Sequence, residues 1–126
     1  MAASDHHHLD RIFLVAPSST PQRLTRTVEA SRGFVYAASI MGVTGARDVV
    51  SQAAPELVGR VKAVSEIPVG VGLGVRSREQ AAQIAGYADG VIVGSALVSA
   101  LATGMPTLRA LTEELAIGVR QRSAGL

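Results

Sequence analysis

The sequence predicts an α/β fold in which four parallel strands form one sheet that helices cover. Short apolar runs alternate four times with segments whose apolar residues recur at helical spacing. The runs are apolar at successive positions, which is typical of strands buried on both faces, as in parallel sheets. The chain has 126 residues, 48% of them hydrophobic, with two Phe, two Tyr and no Trp. It therefore has the size of one domain with an aliphatic core.

Two strands and two helices are expected in the first half of the chain. Residues 9–16 predict the first strand. Thr20 followed by Pro21 predicts a helix start, because a hydroxyl caps the first turn and Pro is tolerated there. Residues 34–38 predict the second strand and residues 55–65 the next helix.

The second half repeats the pattern and adds helices at its end. Residues 69–71 and 90–93 predict the third and fourth strands. Between them, Ser77 and Gln80 have the spacing of a capping box and predict a helix start. After the fourth strand, residues 95–101 predict one short helix and residues 107–121 a longer one.

Composition excludes several classes of function. The formal net charge is +2, and no basic stripe interleaves with aromatic residues, so we expect no nucleic-acid partner. We expect no membrane span and no secretory signal. The absence of cysteine excludes disulfides and thiolate metal sites, and it fits a cytoplasmic protein. His6, His7 and His8 are consecutive and are not expected to converge on one metal ion.

Glycines at two predicted strand ends indicate a phosphate site. Gly72 and Gly74 follow the third strand, and Gly94 with Ser95 follows the fourth. A dinucleotide fingerprint beginning at Gly72 would need glycine at position 77, where Ser77 stands. Backbone N–H groups at helix starts can bind phosphate without a lysine. Each glycine alone is better explained by a tight turn or close packing, but the pair on neighbouring strands favours phosphate.

Other candidates keep two explanations. The loop with Gly42, Thr44 and Gly45 is either a mobile loop over a ligand or an ordinary connection. Tyr36 either lines a pocket or fills the core. No carboxylate, His or Lys stands at the carboxyl end of a predicted strand, where general acid–base chemistry needs one within reach of substrate. We therefore predict no catalytic residue and no metal ligand in this chain.

The chain resembles the tryptophan synthase alpha subunit family over nearly its whole length. The resemblance rests on residues 9–17, 33–39 and 42–46, on the run 70–75, and on Gly94-Ser95-Ala96. It implies the C-terminal half of a (βα)8 TIM barrel, with residues 1–126 forming a single half-barrel domain. Within it, residues 1–8 are a lead-in, and residues 9–126 resemble βα units five to eight.

The resemblance also implies specific roles. Gly45, Gly74, Gly94 and Ser95 match positions that hold the substrate phosphate. Tyr36, Thr44 and Leu73 are expected in the substrate pocket or its loop. The family cleaves indole-3-glycerol phosphate to indole and glyceraldehyde 3-phosphate, a lyase reaction in tryptophan biosynthesis. Its two catalytic carboxylates lie at and just after strand two, which has no counterpart here, so we expect the isolated chain to be inactive.

The resemblance implies partners as well. No cofactor is expected in this chain, because the pyridoxal phosphate of the enzyme belongs to the beta subunit. Expected partners are indole-3-glycerol phosphate or another small phosphate ester, the beta subunit, and either a homodimer or a complementing N-terminal half. The alternatives are a non-catalytic α/β module that binds a phosphorylated metabolite and a non-functional remnant.

Overall fold

A computed structural model of the chain describes residues 2–39, 53–72 and 74–121. It contains one sheet of four parallel strands in the order β1-β2-β3-β4, with helices before, between and after them. This confirms the predicted fold class. The elements in chain order are α1 (Ala2–His6), β1 (Leu14–Val15), α2 (Pro21–Ala30), β2 (Val35–Ala38), α3 (Ala53–Lys62), β3 (Val69–Gly72), α4 (Arg78–Ala85), β4 (Gly90–Ile92), α5 (Ser95–Thr103) and α6 (Met105–Gln121).

The sheet has two different faces, which follow from the register of its strands. Val15, Ala37, Val71 and Val91 are aligned across the four strands on one face. This helix face packs on the helices, and the first three of these side chains are buried. The core of the molecule is this layer between strands and helices, where Leu24, Val28, Leu57, Val58, Val61 and Ile84 join the strand residues.

On the opposite, inner face, side chains of β2 and β4 lie directly over the two glycines of β3. A Cβ atom built on Gly70 would lie 3.0 Å from Cδ1 of Ile92. One on Gly72 would lie 2.8 Å from the Tyr36 hydroxyl and 3.0 Å from Cβ of Ile92. A larger residue at either position would collide with these neighbours, so the glycines make room for the side chains of β2 and β4.

Two predicted helix starts are confirmed. Oγ1 of Thr20 accepts a hydrogen bond from the backbone N–H of Arg23 at 3.2 Å. Oγ of Ser77 accepts one from Gln80 at 3.2 Å, and α4 begins at the next residue. Each hydroxyl satisfies one of the N–H groups that the first helical turn leaves without an intrahelical partner.

Some boundaries differ from the predictions. The first strand spans two residues rather than residues 9–16, because only Leu14 and Val15 pair with β2. The last helix begins at Met105 rather than at residue 107, directly after Gly104, whose φ of +146° ends α5. Part of the predicted lead-in forms α1, and Arg11 donates hydrogen bonds to Ser4 and Asp5 at this helix.

Helix α6 packs closely on α4 at one point. A Cβ atom on Gly118 would lie 2.5 Å from the carbonyl oxygen of Arg78 and 3.2 Å from Cβ of Ala81. Glu114 of α6 also pairs with Arg78 at 3.5 Å between Oε1 and Nε.

In the described ranges, no helix has both the length and the apolar character that crossing a bilayer requires.

Candidate functional site

Two of the predicted phosphate-binding glycines, Gly74 and Gly94, lie at the same edge of the sheet. Gly72 of β3 is aligned with Ile92 of β4, and the strands run parallel. Gly74 and Gly94 each follow two residues after this aligned pair, so both stand just beyond the carboxyl ends of neighbouring strands. The edge at which parallel strands end is where open α/β sheets and β/α barrels bind ligands.

Gly74 occupies a backbone conformation that favours glycine. Its φ is +77°, and the residue is exposed. The chain then enters α4 through the Ser77 cap, while Oε1 of Gln80 accepts a hydrogen bond from the N–H of Arg76 at 2.7 Å. The turn after β3 is thus fixed by α4, and its glycine presents backbone rather than a side chain at the edge.

The amino end of α5 is different from those of α2 and α4. Its N-cap residue is Gly94, and no side chain caps the helix. The Gly94 carbonyl accepts from the N–H groups of Leu97 at 3.0 Å and Val98 at 3.1 Å. The N–H groups of Ser95 and Ala96 are among those a helix cannot satisfy internally, and the helix dipole makes this end electropositive.

Space is also open at this end of α5. A Cβ atom built on Gly94 would meet nothing within 4 Å, and Ser95 is exposed. The fold therefore does not require a glycine at position 94 for packing, in contrast to Gly72. Uncapped N–H groups, an exposed hydroxyl and open space together suit an anion such as a phosphate monoester.

Tyr36 lies on the inner face and reaches toward the same edge. Its backbone is aligned with Gly70, yet its hydroxyl lies over Gly72, two residues nearer the carboxyl end of β3. The ring is half-buried. This position allows both explanations given by the sequence, since the ring fills the inner face and its hydroxyl points toward the ligand edge.

Three of the candidates, Thr44, Gly45 and Leu73, lie outside the described residues. The steric requirement for glycine at positions 70 and 72 was not among the predictions from the sequence. Its signal was the repetition of glycine every second residue in a predicted strand, which places both glycines on one face.

Acidic side chains of the described ranges lie away from the carboxyl ends of the strands or are exposed to solvent. Asp89 stands at the amino edge, where its Oδ2 accepts from the N–H of Val69 at 2.9 Å and from Nζ of Lys62 at 2.8 Å. Glu56 and Glu79 lie in the first turns of their helices and are exposed. Over those ranges, no three His, Cys, Asp or Glu side chains are grouped as metal binding would require.

The fold defines a parallel β/α unit of the barrel type, a class of protein in which ligand sites lie at the carboxyl ends of the strands. The family model described as "Tryptophan synthase alpha chain" matches residues 1–124, and this chain belongs to that family. The match includes the segment 1–8.

Relatives and solved structures agree with this assignment. The chain is 83% identical over 125 residues to the tryptophan synthase alpha chain of Mycobacterium intracellulare, covering 98% of this chain and 46% of the relative. A tryptophan synthase structure from Mycobacterium tuberculosis matches with 83% identity and a TM-score of 0.85, covering 94% of this chain and 45% of that one. The tryptophan synthase α2β2 complex of Pyrococcus furiosus matches with 31% identity and a TM-score of 0.77, covering 94% and 49%. The chain thus spans about half the length of the relatives that it matches.

Proposed function

We propose that this chain supplies the phosphate-holding half of a tryptophan synthase alpha barrel. The substrate is indole-3-glycerol phosphate, which the complete site splits by retro-aldol cleavage to indole and glyceraldehyde 3-phosphate. The observation that carries the proposal is the uncapped amino end of α5, with open space at Gly94 and with Gly74 at the neighbouring strand end.

The phosphate is held by backbone groups in this proposal. The N–H groups of Gly94 and Ser95, together with the turn at Gly74, point at the phosphate oxygens, and the dipole of α5 adds to the attraction. Gly45 contributes from the loop after β2. Tyr36 and Leu73 contact the rest of the substrate, and Thr44 closes over it; these roles follow from the resemblance.

The isolated chain is proposed to be inactive. In the family the two carboxylates that move protons belong to strand two and the loop after it, and no segment of this chain matches them. Losing one general acid–base group costs about 10²–10⁴ in rate, and this chain lacks both. The chain uses no cofactor of its own in this proposal, because pyridoxal phosphate acts in the beta subunit, and it works in the cytoplasm.

A beta subunit is the proposed partner in the complete enzyme. The related Pyrococcus furiosus protein is described as part of an α2β2 complex. Beta-subunit binding would also involve parts of the barrel that this chain does not match, so we expect the isolated chain to bind a beta subunit weakly at best.

The phosphate site is tested by calorimetric titration with glycerol 3-phosphate. We expect binding by the wild-type chain and a loss of about tenfold or more in Gly94→Ala, because the added methyl group would occupy the open space and hold the phosphate away from backbone hydrogen bonds that contribute about 1.5–3 kcal/mol each. Gly90→Ala is the matched control, since Gly90 also has nothing within 4 Å of an added Cβ but stands at the amino end of the same strand. Equal binding by both variants would contradict the proposed site.

Catalysis is tested separately by following indole release from indole-3-glycerol phosphate. We expect no release above the buffer rate, with or without an added beta subunit. Release by the purified chain would overturn the inactive assignment and leave the phosphate site untouched.

A further inference from the structure

Each outer strand of the sheet leaves one edge without a neighbouring strand in the described ranges. The carbonyl of Phe13 accepts from Tyr36, so the alternation of a parallel ladder turns the N–H and C=O groups of Leu14 to the open side of β1. At the other end, the carbonyl of Gly72 accepts from Ser39 on the β2 side, so Val71 turns its backbone groups toward β4. Because Val71 is aligned with Val91, it bonds to Gly90 and Ile92, and Val91 turns its N–H and C=O groups to the open side of β4.

The β1 edge is unusually apolar for an exposed strand. Ile12, Phe13 and Leu14 are 43%, 37% and 61% exposed. Open edges of soluble proteins usually carry charge or are covered, because an apolar edge pairs with other chains. Leu14 lies on the inner face, and Phe13, two residues before Val15, lies on the helix face.

The β4 edge opens beside an apolar groove on the helix face, which we call the β4 groove. Its volume is about 310 Å³, and its lining includes Val91, Val93, Leu97, Leu115, Ala116 and Val119. An apolar cavity of about 150 Å³ already binds benzene, so a phenyl ring fits the β4 groove. A strand that paired with β4 would direct every second side chain into it.

We propose that two copies of this chain close into one eight-stranded barrel. In it β1 of each copy pairs in parallel with β4 of the other, Phe13 enters the β4 groove, and Leu14 lies beside Ile92 on the inner face. The two edges are complementary because one carries the exposed apolar side chains and the other carries the empty groove.

Two copies are enough to close the strands into a ring. A contact between unlike edges forms a ring or an open filament, and a twofold axis along the strands closes the ring after two copies. Eight parallel strands leave an interior just wide enough for side chains to fill. The inner face of each copy brings both Gly70 and Gly72 and the large Phe34 and Tyr36, so the pair can fill its interior without added chain.

The inference rests on the proposed function only in that each copy keeps its own phosphate site at the carboxyl edge. The first test is sedimentation equilibrium of the purified chain. We expect a species of twice the 13.0 kDa chain mass. Leu14→Lys should weaken the dimer at least about tenfold or unfold it, because it buries an unpaired charge. Val64→Lys is the matched control, since Val64 is also apolar and 48% exposed but lies between α3 and β3, an inner strand of the sheet.

A second test identifies which edges meet. The chain has no cysteine, so Leu14→Cys and Gly90→Cys chains can be refolded together and treated with a short bismaleimide. We expect cross-linked dimers in the mixture and none with either variant alone. A monomer, an aggregate, a larger assembly, or cross-linking of Leu14→Cys with itself would overturn the proposal. Binding of glycerol 3-phosphate by the Val64→Lys variant reports on the phosphate site independently.

Discussion

The contact between α6 and α4 predicts opposite effects for one substitution at two helical glycines. A Cβ on Gly118 would lie 2.5 Å from the carbonyl oxygen of Arg78, so Gly118→Ala must push α6 away from α4. Overpacking of this kind costs about 1–3 kcal/mol, while replacing Gly by Ala in a helix gains up to about 1 kcal/mol. We expect a net loss of about 1 kcal/mol, or about 4 °C in Tm for a chain of this size.

Gly59 provides the matched control within α3. It is exposed, and an added Cβ would meet nothing within 4 Å. Gly59→Ala should therefore gain about 0.5–1 kcal/mol, so that the two variants differ by about 2 kcal/mol.

Urea unfolding followed by circular dichroism measures this difference. All samples need the same protein concentration, because assembly adds to apparent stability. Equal slopes with shifted midpoints would report stability alone. A Gly118→Ala midpoint at or above that of the wild-type chain would refute the steric reasoning.

Three further predictions concern the helix cap, the amino edge and alkaline pH. Ser77→Ala should lose about 1 kcal/mol of stability, because the cap of α4 is removed; an unchanged melting temperature would contradict this. Asp89→Ala should cost about 1–3 kcal/mol in urea unfolding, because the N–H of Val69 loses its acceptor, whereas Lys62→Ala should cost under about 1 kcal/mol; equal losses would show that the exposed ion pair dominates. Burial raises the pKa of Tyr87 above its ordinary value of 10.0. The contribution of Tyr87 to the free energy of unfolding is therefore complete below pH 10 and is lost as pH rises through the folded-state pKa. Tyr87→Phe should reduce this alkaline loss in a pH series of melting temperatures, and an identical pH profile would contradict the assignment.

Features encoded by neighbouring residues were predictable from the sequence. The starts of α2 and α4 depend on Thr20 and Ser77, whose hydroxyls act within three residues along the chain. The strand order and the adjacency of Gly74 and Gly94 follow from alternating strands and helices, because such connections make neighbouring strands parallel.

Features set by distant partners were not predictable in the same way. The first strand is short because only two of its residues pair with β2, which the apolar run itself does not reveal. Val64 continues the helical pattern of α3, but the helix ends at Lys62 and leaves Val64 exposed. The reach of Tyr36 over Gly72 depends on the register between β2 and β3, and the β4 groove depends on how α6 packs.

The contact between Tyr36 and Gly72 makes two positions on different strands share one volume. A methyl group at position 72 would lie 2.8 Å from the Tyr36 hydroxyl, so that atom must move or be removed. Gly72→Ala should therefore be tolerated better together with Tyr36→Phe than alone, although the Ile92 contact remains. Selection acting on the inner face would treat the two residues as one unit, in which a gain of size on β3 requires a loss of size on β2.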